Sequence, residues 1–284
     1  MSARHQGATA LWPASRLDHT LAACQAQDRA ALGLYLPVGY PTRSGSLDAL
    51  HLMGQAADVL EIGIPHTDPA LDGPVIRQAA AQALAGGFRM PDVFTAVAEL
   101  TASTPAALVA MSYWIPIQRY GPRAFLHAFS DAGGSAVLIP DLPQAAADGW
   151  RQAARAAGVH TITLVPQGAS AAHLAAIGAA TSGMVYAPAA PGPTGGQGPL
   201  SPYLPHEVHR IRTATGRPVA VGIGISTPAQ AAHVACFADL VVVGSAVIRR
   251  MQSQPTAPAT AAATAARDFA AGIRRARRAR RTAA

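Results

Sequence analysis

Pro218-Val219-Ala220-Val221-Gly222-Ile223-Gly224-Ile225-Ser226 leads through Thr227-Pro228-Ala229-Gln230-Ala231-Ala232-His233-Val234-Ala235 to Leu240-Val241-Val242-Val243-Gly244-Ser245-Ala246. A short apolar run ends in glycine, an alanine-rich stretch follows a proline, and a second apolar run ends in glycine. The two runs are too short to be helices, and their unbroken apolar character fits strands buried on both faces of a parallel sheet. The stretch from Pro228 to Ala235 has helical composition, with proline at the position where a first helical turn accepts it.

The same unit recurs in both directions. Strands are expected at Leu32–Val38, Val59–Ile64, Ala107–Met111, Ala136–Ile139, Thr161–Val165, Gly183–Ala187, Pro218–Gly222 and Leu240–Val243. Helices are expected at Leu47–Ala57, Val75–Ala85, Pro122–Asp131, Gln144–Ala157, Ser170–Ala179, Tyr203–Thr213 and Pro228–Ala235, with an eighth toward the C-terminus. This alternation predicts a single-domain α/β fold, the (β/α)₈ TIM barrel, and 284 residues suit it. A doubly wound open sheet would want a glycine-rich turn opening a helix after the first strand. The chain has Val38-Gly39-Tyr40-Pro41-Thr42 there instead. Residues 1–15 read as a loose lead-in, 16–252 as the barrel, and 253–284 as a last helix with an arginine-rich tail. Pro255 and Pro258 suggest a linker before that helix.

Composition narrows the function. Half of the residues are hydrophobic but only 5% aromatic, so the core is expected to be built of Ala, Val, Leu and Ile. No apolar run has the length and purity of a membrane span, and no secretory leader is evident. Cys24 and Cys236 stand far apart and outside any metal-spaced cluster, which reads as a reduced, cytoplasmic chain. The formal charge of +7 belongs mostly to the end of the chain, where Arg267–Ala284 holds seven arginines and one acid. Such a tail could contact nucleic acid, but Phe269 is its one aromatic residue, so a solvated helix end is the expectation. All 22 basic residues are arginine. A chain without lysine cannot form a lysine Schiff base with a carbonyl substrate.

Function in this fold gathers at the C-terminal ends of the strands. After the second strand the chain reads Glu61-Ile62-Gly63-Ile64-Pro65-His66-Thr67-Asp68-Pro69-Ala70-Leu71-Asp72-Gly73-Pro74. Glu61 inside an apolar strand is either a proton-transfer group aimed into the barrel mouth or half of an ion pair in the sheet. Asp72 is either a second carboxylate carried over the mouth or the N-cap of the next helix. After the sixth strand, Tyr186 opens a loop rich in proline and glycine through Thr194-Gly195, long enough to act as a lid. Gly224 and Gly244-Ser245 end the last two strands, where bare backbone N–H groups and a helix N-terminus make a phosphate site. His206 and His209 are one residue short of the helical zinc spacing and lack a third ligand, so no metal is expected. At His66 a packing role is expected.

These pieces, in this order, resemble the tryptophan synthase alpha family. The run from Glu61 to Pro69 with Asp72-Gly73-Pro74 is close to that family's long signature. Met111-Ser112-Tyr113-Trp114, Pro140-Asp141-Leu142-Pro143, Tyr186, Thr194-Gly195, Gly222–Ser226 and Val243–Ala246 support it, over roughly residues 16–252. The resemblance implies a lyase that cleaves indole-3-glycerol phosphate to indole and glyceraldehyde 3-phosphate, in tryptophan biosynthesis or as an indole-supplying paralogue, without a cofactor. It implies that Glu61 is the general acid/base, that Asp72 stabilises the indole N–H and that Tyr186 lines the site. Gly195, Gly224, Gly244 and Ser245 would hold the phosphate, and Tyr113 and Thr194 would join the substrate-binding set. It also implies pairing with a beta subunit in an alpha2beta2 assembly. The alternatives are a catalytically impaired barrel that regulates a beta subunit, or a lyase acting on a related phosphorylated substrate. The chain departs from the family at Ile115 (usually asparagine), at Tyr40 (often aspartate) and at Ala190 (often arginine), which bears on lid closure and docking rather than on the acid/base pair.

Overall fold

The computed structural model describes residues 14–190 and 192–282, the side chains as far as Ala276. Most of the expected lead-in, and the arginine side chains from Arg277 onward, lie outside the described residues. Eight parallel strands close into a barrel in chain order. They are β1 (Ala31–Pro37), β2 (Val59–Gly63), β3 (Ala107–Met111), β4 (Ala136–Leu138), β5 (His160–Leu164), β6 (Val185–Pro188), β7 (Val219–Gly222) and β8 (Leu240–Val243). The ring closes where Ala31 to Leu34 of β1 pair with Leu240 to Val243 of β8.

The helices follow the punctuation of the sequence. α1 (Arg16–Ala26) precedes the barrel, and α2 (Arg43–Gly54) joins β1 to β2. α3 (Pro74–Ala85) and α4 (Pro91–Ser103) join β2 to β3, and α5 (Trp114–Tyr120) and α6 (Pro122–Asp131) join β3 to β4. α7 (Gln144–Ala156), α8 (Ala171–Ala180), α9 (Leu204–Thr215) and α10 (Pro228–Val234) fill the next four connections. α11 (Ser245–Gln252) and α12 (Pro258–Thr282) follow β8. Proline opens α3, α4, α6, α10 and α12, where its missing N–H costs nothing. Ser15 with Asp18 and Thr227 with Gln230 form capping boxes on α1 and α10.

Side chains alternate between two cores. Leu32, Leu34, Leu60, Ile62, Leu108 and Val241 face the surrounding helices. Ala31, Val59, Ala107, Val109, Leu240 and Val242 fill the barrel, and Leu17 and Cys24 of α1 join this inner cluster. Thus α1, absent from the expected elements, buries part of its surface against the strands' inner residues. The Ala- and Thr-rich stretch read as a linker is helical from Pro258 onward, because alanine after an N-terminal proline favours helix. Phe269 and Ile273 of α12 are buried in the outer core, each burial contributing roughly 1.5–3 kcal/mol. Phe269 is therefore not available to stack on a nucleic-acid base. No helix among the described residues is long and apolar enough to cross a membrane.

Candidate active site

The alternation that builds the inner core also builds the site. Val59 points into the barrel, so Glu61, two residues on, does too. The inward positions one step higher are glycines in three strands: Gly63, Gly222 and Gly244. Two tyrosines use the space. A Cβ on Gly63 would stand 2.5 Å from the Tyr35 hydroxyl, and one on Gly222 would stand 1.8 Å from the Tyr186 hydroxyl. The rings therefore lie across the barrel top, and above them opens a cavity lined by Glu61, Asp72, Tyr35, Tyr186, Ile223 and Ser245 among others.

Glu61 is 7% exposed and, among the described residues, makes no salt bridge and no side-chain hydrogen bond. The ion pair in the sheet, one of its two sequence readings, is not what the structure forms. Desolvation pushes its carboxyl up to about 8, with repulsion from Asp72 adding to the effect. Glu61 is thus held as a neutral acid near pH 7, with nothing in the fold occupying its proton.

Asp72 has a different environment. Gly73, not Asp72, is the N-cap of α3, and the Asp72 carboxylate turns inward. The Tyr113 hydroxyl donates to Oδ2 at 3.1 Å, and the Thr194 hydroxyl donates to Oδ1 at 3.4 Å. Arg77 holds the loop from outside, its Nε donating to the Asp72 carbonyl at 2.6 Å and its Nη2 to the Ala70 carbonyl at 3.1 Å. Burial raises the Asp72 carboxyl to about 6, while the two hydroxyls and the Arg77 charge pull against that rise. Two carboxyls of one cavity thus hold their protons to different degrees, Glu61 more tightly than Asp72.

The lid lies over this pair. Gly73 N donates to Thr194 Oγ1 at 2.8 Å, and Thr194 N donates to the Leu71 carbonyl at 3.3 Å. At the lid's base, Ala189 and Ala190 donate to the Ile223 carbonyl at 3.2 and 3.1 Å. Ile223 has φ 55, a costly conformation for a β-branched residue, and Gly224 follows at φ 110. Two successive positive-φ residues turn the chain sharply at the end of β7. Gly195, Gly224, Gly244 and Ser245 all line the cavity here, where α11 begins. Bare backbone beside a helix N-terminus suits an anion.

Of the residues expected from sequence, Glu61, Asp72, Tyr186, Thr194, Gly195, Gly224, Gly244 and Ser245 line this cavity. Tyr113 stands behind Asp72 as its hydrogen-bond donor and is not part of the lining. His66 packs on Tyr113 with ring centroids 5.6 Å apart. Asp141 of the Pro140–Pro143 motif accepts from Trp114 N at 2.8 Å and so ties the loop after β4 to α5. Ile115, at the family's asparagine position, is 38% exposed at the rim. Among the described residues no group of three His, Cys, Asp or Glu could hold a metal ion. Sequence reading missed Tyr35, Arg77 and Arg249. A polar ring inside a strand two residues before Pro37 was the available signal for Tyr35; the two arginines had none.

A family model described as "Tryptophan synthase alpha chain" matches residues 21–276. The Streptomyces coelicolor tryptophan synthase alpha chain is 42% identical over 261 residues, which is 91% of this chain and 96% of the relative. The Thermobifida fusca protein of the same name is 41% identical over 90% of this chain and 96% of its own length. Among solved structures, a chain of Mycobacterium tuberculosis tryptophan synthase superposes with a TM-score of 0.85 at 36% identity, covering 92% of this chain and 99% of that one. The Legionella pneumophila tryptophan synthase subunit alpha superposes with a TM-score of 0.83 at 30% identity, covering 92% and 99%.

Proposed function

The chain belongs to the tryptophan synthase alpha chain family, and from that premise we propose that it is a carbon–carbon lyase cleaving indole-3-glycerol phosphate to indole and glyceraldehyde 3-phosphate. The observation that carries the reading is geometric: Glu61, buried and without an ion pair, and the Asp72 carboxylate, held by the Tyr113 and Thr194 hydroxyls, line one cavity, and burial pushes the first up to about 8 and the second to about 6.

The chemistry follows from that split. Neutral Glu61 gives its proton to C3 of the indole ring, and the ring becomes an iminium cation. The ionised Asp72 carboxylate faces the ring N–H and offsets this charge. The Glu61 carboxylate then takes the proton of the side-chain hydroxyl. As the C3–C bond breaks, its electron pair restores the aromatic indole and the hydroxyl carbon becomes the aldehyde. Glu61 ends protonated, as it began. The indole itself is the electron sink, so the absence of lysine from the sequence is no obstacle. Tyr35 and Tyr186, both buried and held well above the usual phenol range, remain neutral walls around Glu61.

Thr194 and Gly195 carry the lid onto Asp72, excluding water from the ring cation. Gly224, Gly244 and Ser245 hold the phosphate at the far end. As an alpha chain the protein works beside a beta subunit, and the rim that carries Ile115 is the face we assign to it. A purely regulatory barrel would have no need of an unpartnered glutamate facing the cavity.

The test is to incubate the purified chain with indole-3-glycerol phosphate and measure both products, with and without a beta subunit. The reading expects indole and triose phosphate in equal amounts. No indole under either condition would overturn it.

A further inference from the structure

In the proposed reaction Glu61 exists in two forms. It starts as an acid and, once its proton has passed to C3 of the indole ring, it is a carboxylate until the side-chain hydroxyl supplies the next proton. Asp72 has the Tyr113 and Thr194 hydroxyls to meet its charge. Glu61 has no such bond. Val59 beneath it on β2 and Val109, its register partner on β3, are apolar. A carboxylate formed in such surroundings is unfavourable unless a donor meets it.

Its other register partner is polar. Tyr35 of β1 pairs with Glu61 on the adjacent strand. The Tyr35 ring is seated between two glycines: a Cβ on Gly63 would stand 2.5 Å from its hydroxyl, and one on Gly244 would stand 3.2 Å from its Cδ1. Gly63 lies two residues above Glu61 on β2, so the phenol oxygen roofs the strand that carries the carboxyl. Tyr35 is 7% exposed and lines the cavity, yet its hydroxyl has no hydrogen-bond partner among the described residues. A buried phenol ordinarily has one. Burial, with the charges of Asp72 and Glu61 adding to it, keeps the phenol proton in place as a donor. The cavity's other unbonded phenol, Tyr186, reaches over Gly222 of β7, farther round the barrel from β2.

We infer that the Tyr35 hydroxyl donates to the Glu61 carboxylate for as long as that carboxylate exists, and holds it between the ring carbon and the side-chain hydroxyl of the substrate. The bond forms only after Glu61 has given up its proton, so it favours the charged intermediate over the resting acid. No proton leaves Tyr35; the one that Glu61 regains comes from the substrate hydroxyl. Tyr35 is a positioning residue that acts through Glu61. The inference rests on the reading of Glu61 as the acid/base of the proposed reaction.

The experiment compares wild type with Tyr35→Phe, whose ring fills the same space without the hydroxyl. kcat should fall about tenfold to a hundredfold, the scale of one charge-assisted hydrogen bond, while KM and the binding of glycerol 3-phosphate stay as they are. The titratable groups facing Glu61 are Tyr35 from β1, Tyr186 from β6 and Asp72 from the loop after β2. Losing a donor to the ionised form raises the Glu61 pKa, and Glu61 acts protonated, so the basic limb of kcat/KM should move to higher pH. Mere loosening of the core would admit water and move that limb to lower pH. The chain has three glutamates, so carbon NMR on glutamate-labelled protein follows the Glu61 carboxyl directly. Its titration should move up in Tyr35→Phe whether or not indole-3-glycerol phosphate is turned over. Should Tyr35→Phe fail to fold, Gly63→Ala, whose methyl displaces the same hydroxyl, takes its place. An unchanged kcat with an unchanged Glu61 titration, or a limb moved to lower pH, would overturn the inference. A wild type that releases no indole would instead sink the proposed reaction, and the Glu61 titration would still decide the bond to Tyr35.

Discussion

The Tyr113 hydroxyl donates to Asp72 Oδ2 at 3.1 Å while accepting from the Leu71 backbone N–H at 3.1 Å. One phenol thus fixes both the carboxylate and the loop that carries it, and its bond favours the ionised form of Asp72. Tyr113→Phe removes that support, so the Asp72 pKa rises and the acid limb of the kcat/KM profile moves toward neutrality. We expect kcat/KM at pH 7 to fall about tenfold, the scale of one buried hydrogen bond. An unmoved acid limb would show that Asp72 does not need the phenol.

A second outcome concerns the contact between Gly73 and the lid. A Cβ on Gly73 would stand 1.8 Å from the Thr194 carbonyl oxygen, although φ −83 and ψ 175 would admit alanine. Gly73→Ala should leave the barrel as stable as before and hold the lid open. Thr194 would then be withdrawn from Asp72, and kcat/KM should drop on the order of a hundredfold, as for an ångström-scale misplacement. Thermal melting beside steady-state kinetics checks both halves.

Most of the barrel was legible because its strands are short apolar runs between punctuating prolines and glycines. β3 and β8 lie where the sequence places them, and the others differ by one or two residues at their ends. α1, α4, α5 and α11 were not anticipated. α5 has Pro116 in its first turn and so resembles a loop, and α1 has too little periodicity to betray that Leu17 is buried against the barrel interior. Glu61 stood out because a carboxylate is rare inside an apolar strand, and Asp72 because it follows in the loop that leaves that strand. The Tyr35 ring over Gly63 and the Arg249 bond to Gly195 join segments remote in sequence, and no local pattern encodes them.

The pH profile of kcat/KM should be a bell. Activity needs Asp72 ionised and is lost below about 6; it needs Glu61 protonated and is lost above about 8. The basic limb is the more informative, since the substrate phosphate also titrates near 6. A profile flat to pH 9 would contradict the assignment of Glu61 as the acid.

Stability carries the same signature. The folded pKa of Glu61 is raised above its usual 4.5 to about 8, so the folded state binds the proton more tightly. Its contribution is fully present below about 4.5 and is lost as the pH rises through about 8. Glu61→Gln, which has no proton to lose, should therefore be more stable than wild type at pH 7 by on the order of a few kcal/mol. The difference should vanish toward pH 4.5, the usual carboxyl value. Denaturant titrations of both proteins across this range would measure it.

The most direct measurement is indole release from indole-3-glycerol phosphate by wild type and Glu61→Gln, with glycerol 3-phosphate binding as the check that the cavity is intact. The account predicts turnover by the wild type and a loss on the order of 10²–10⁴ in the variant, with glycerol 3-phosphate binding retained. Wild-type rates in a folded, ligand-binding Glu61→Gln would contradict it.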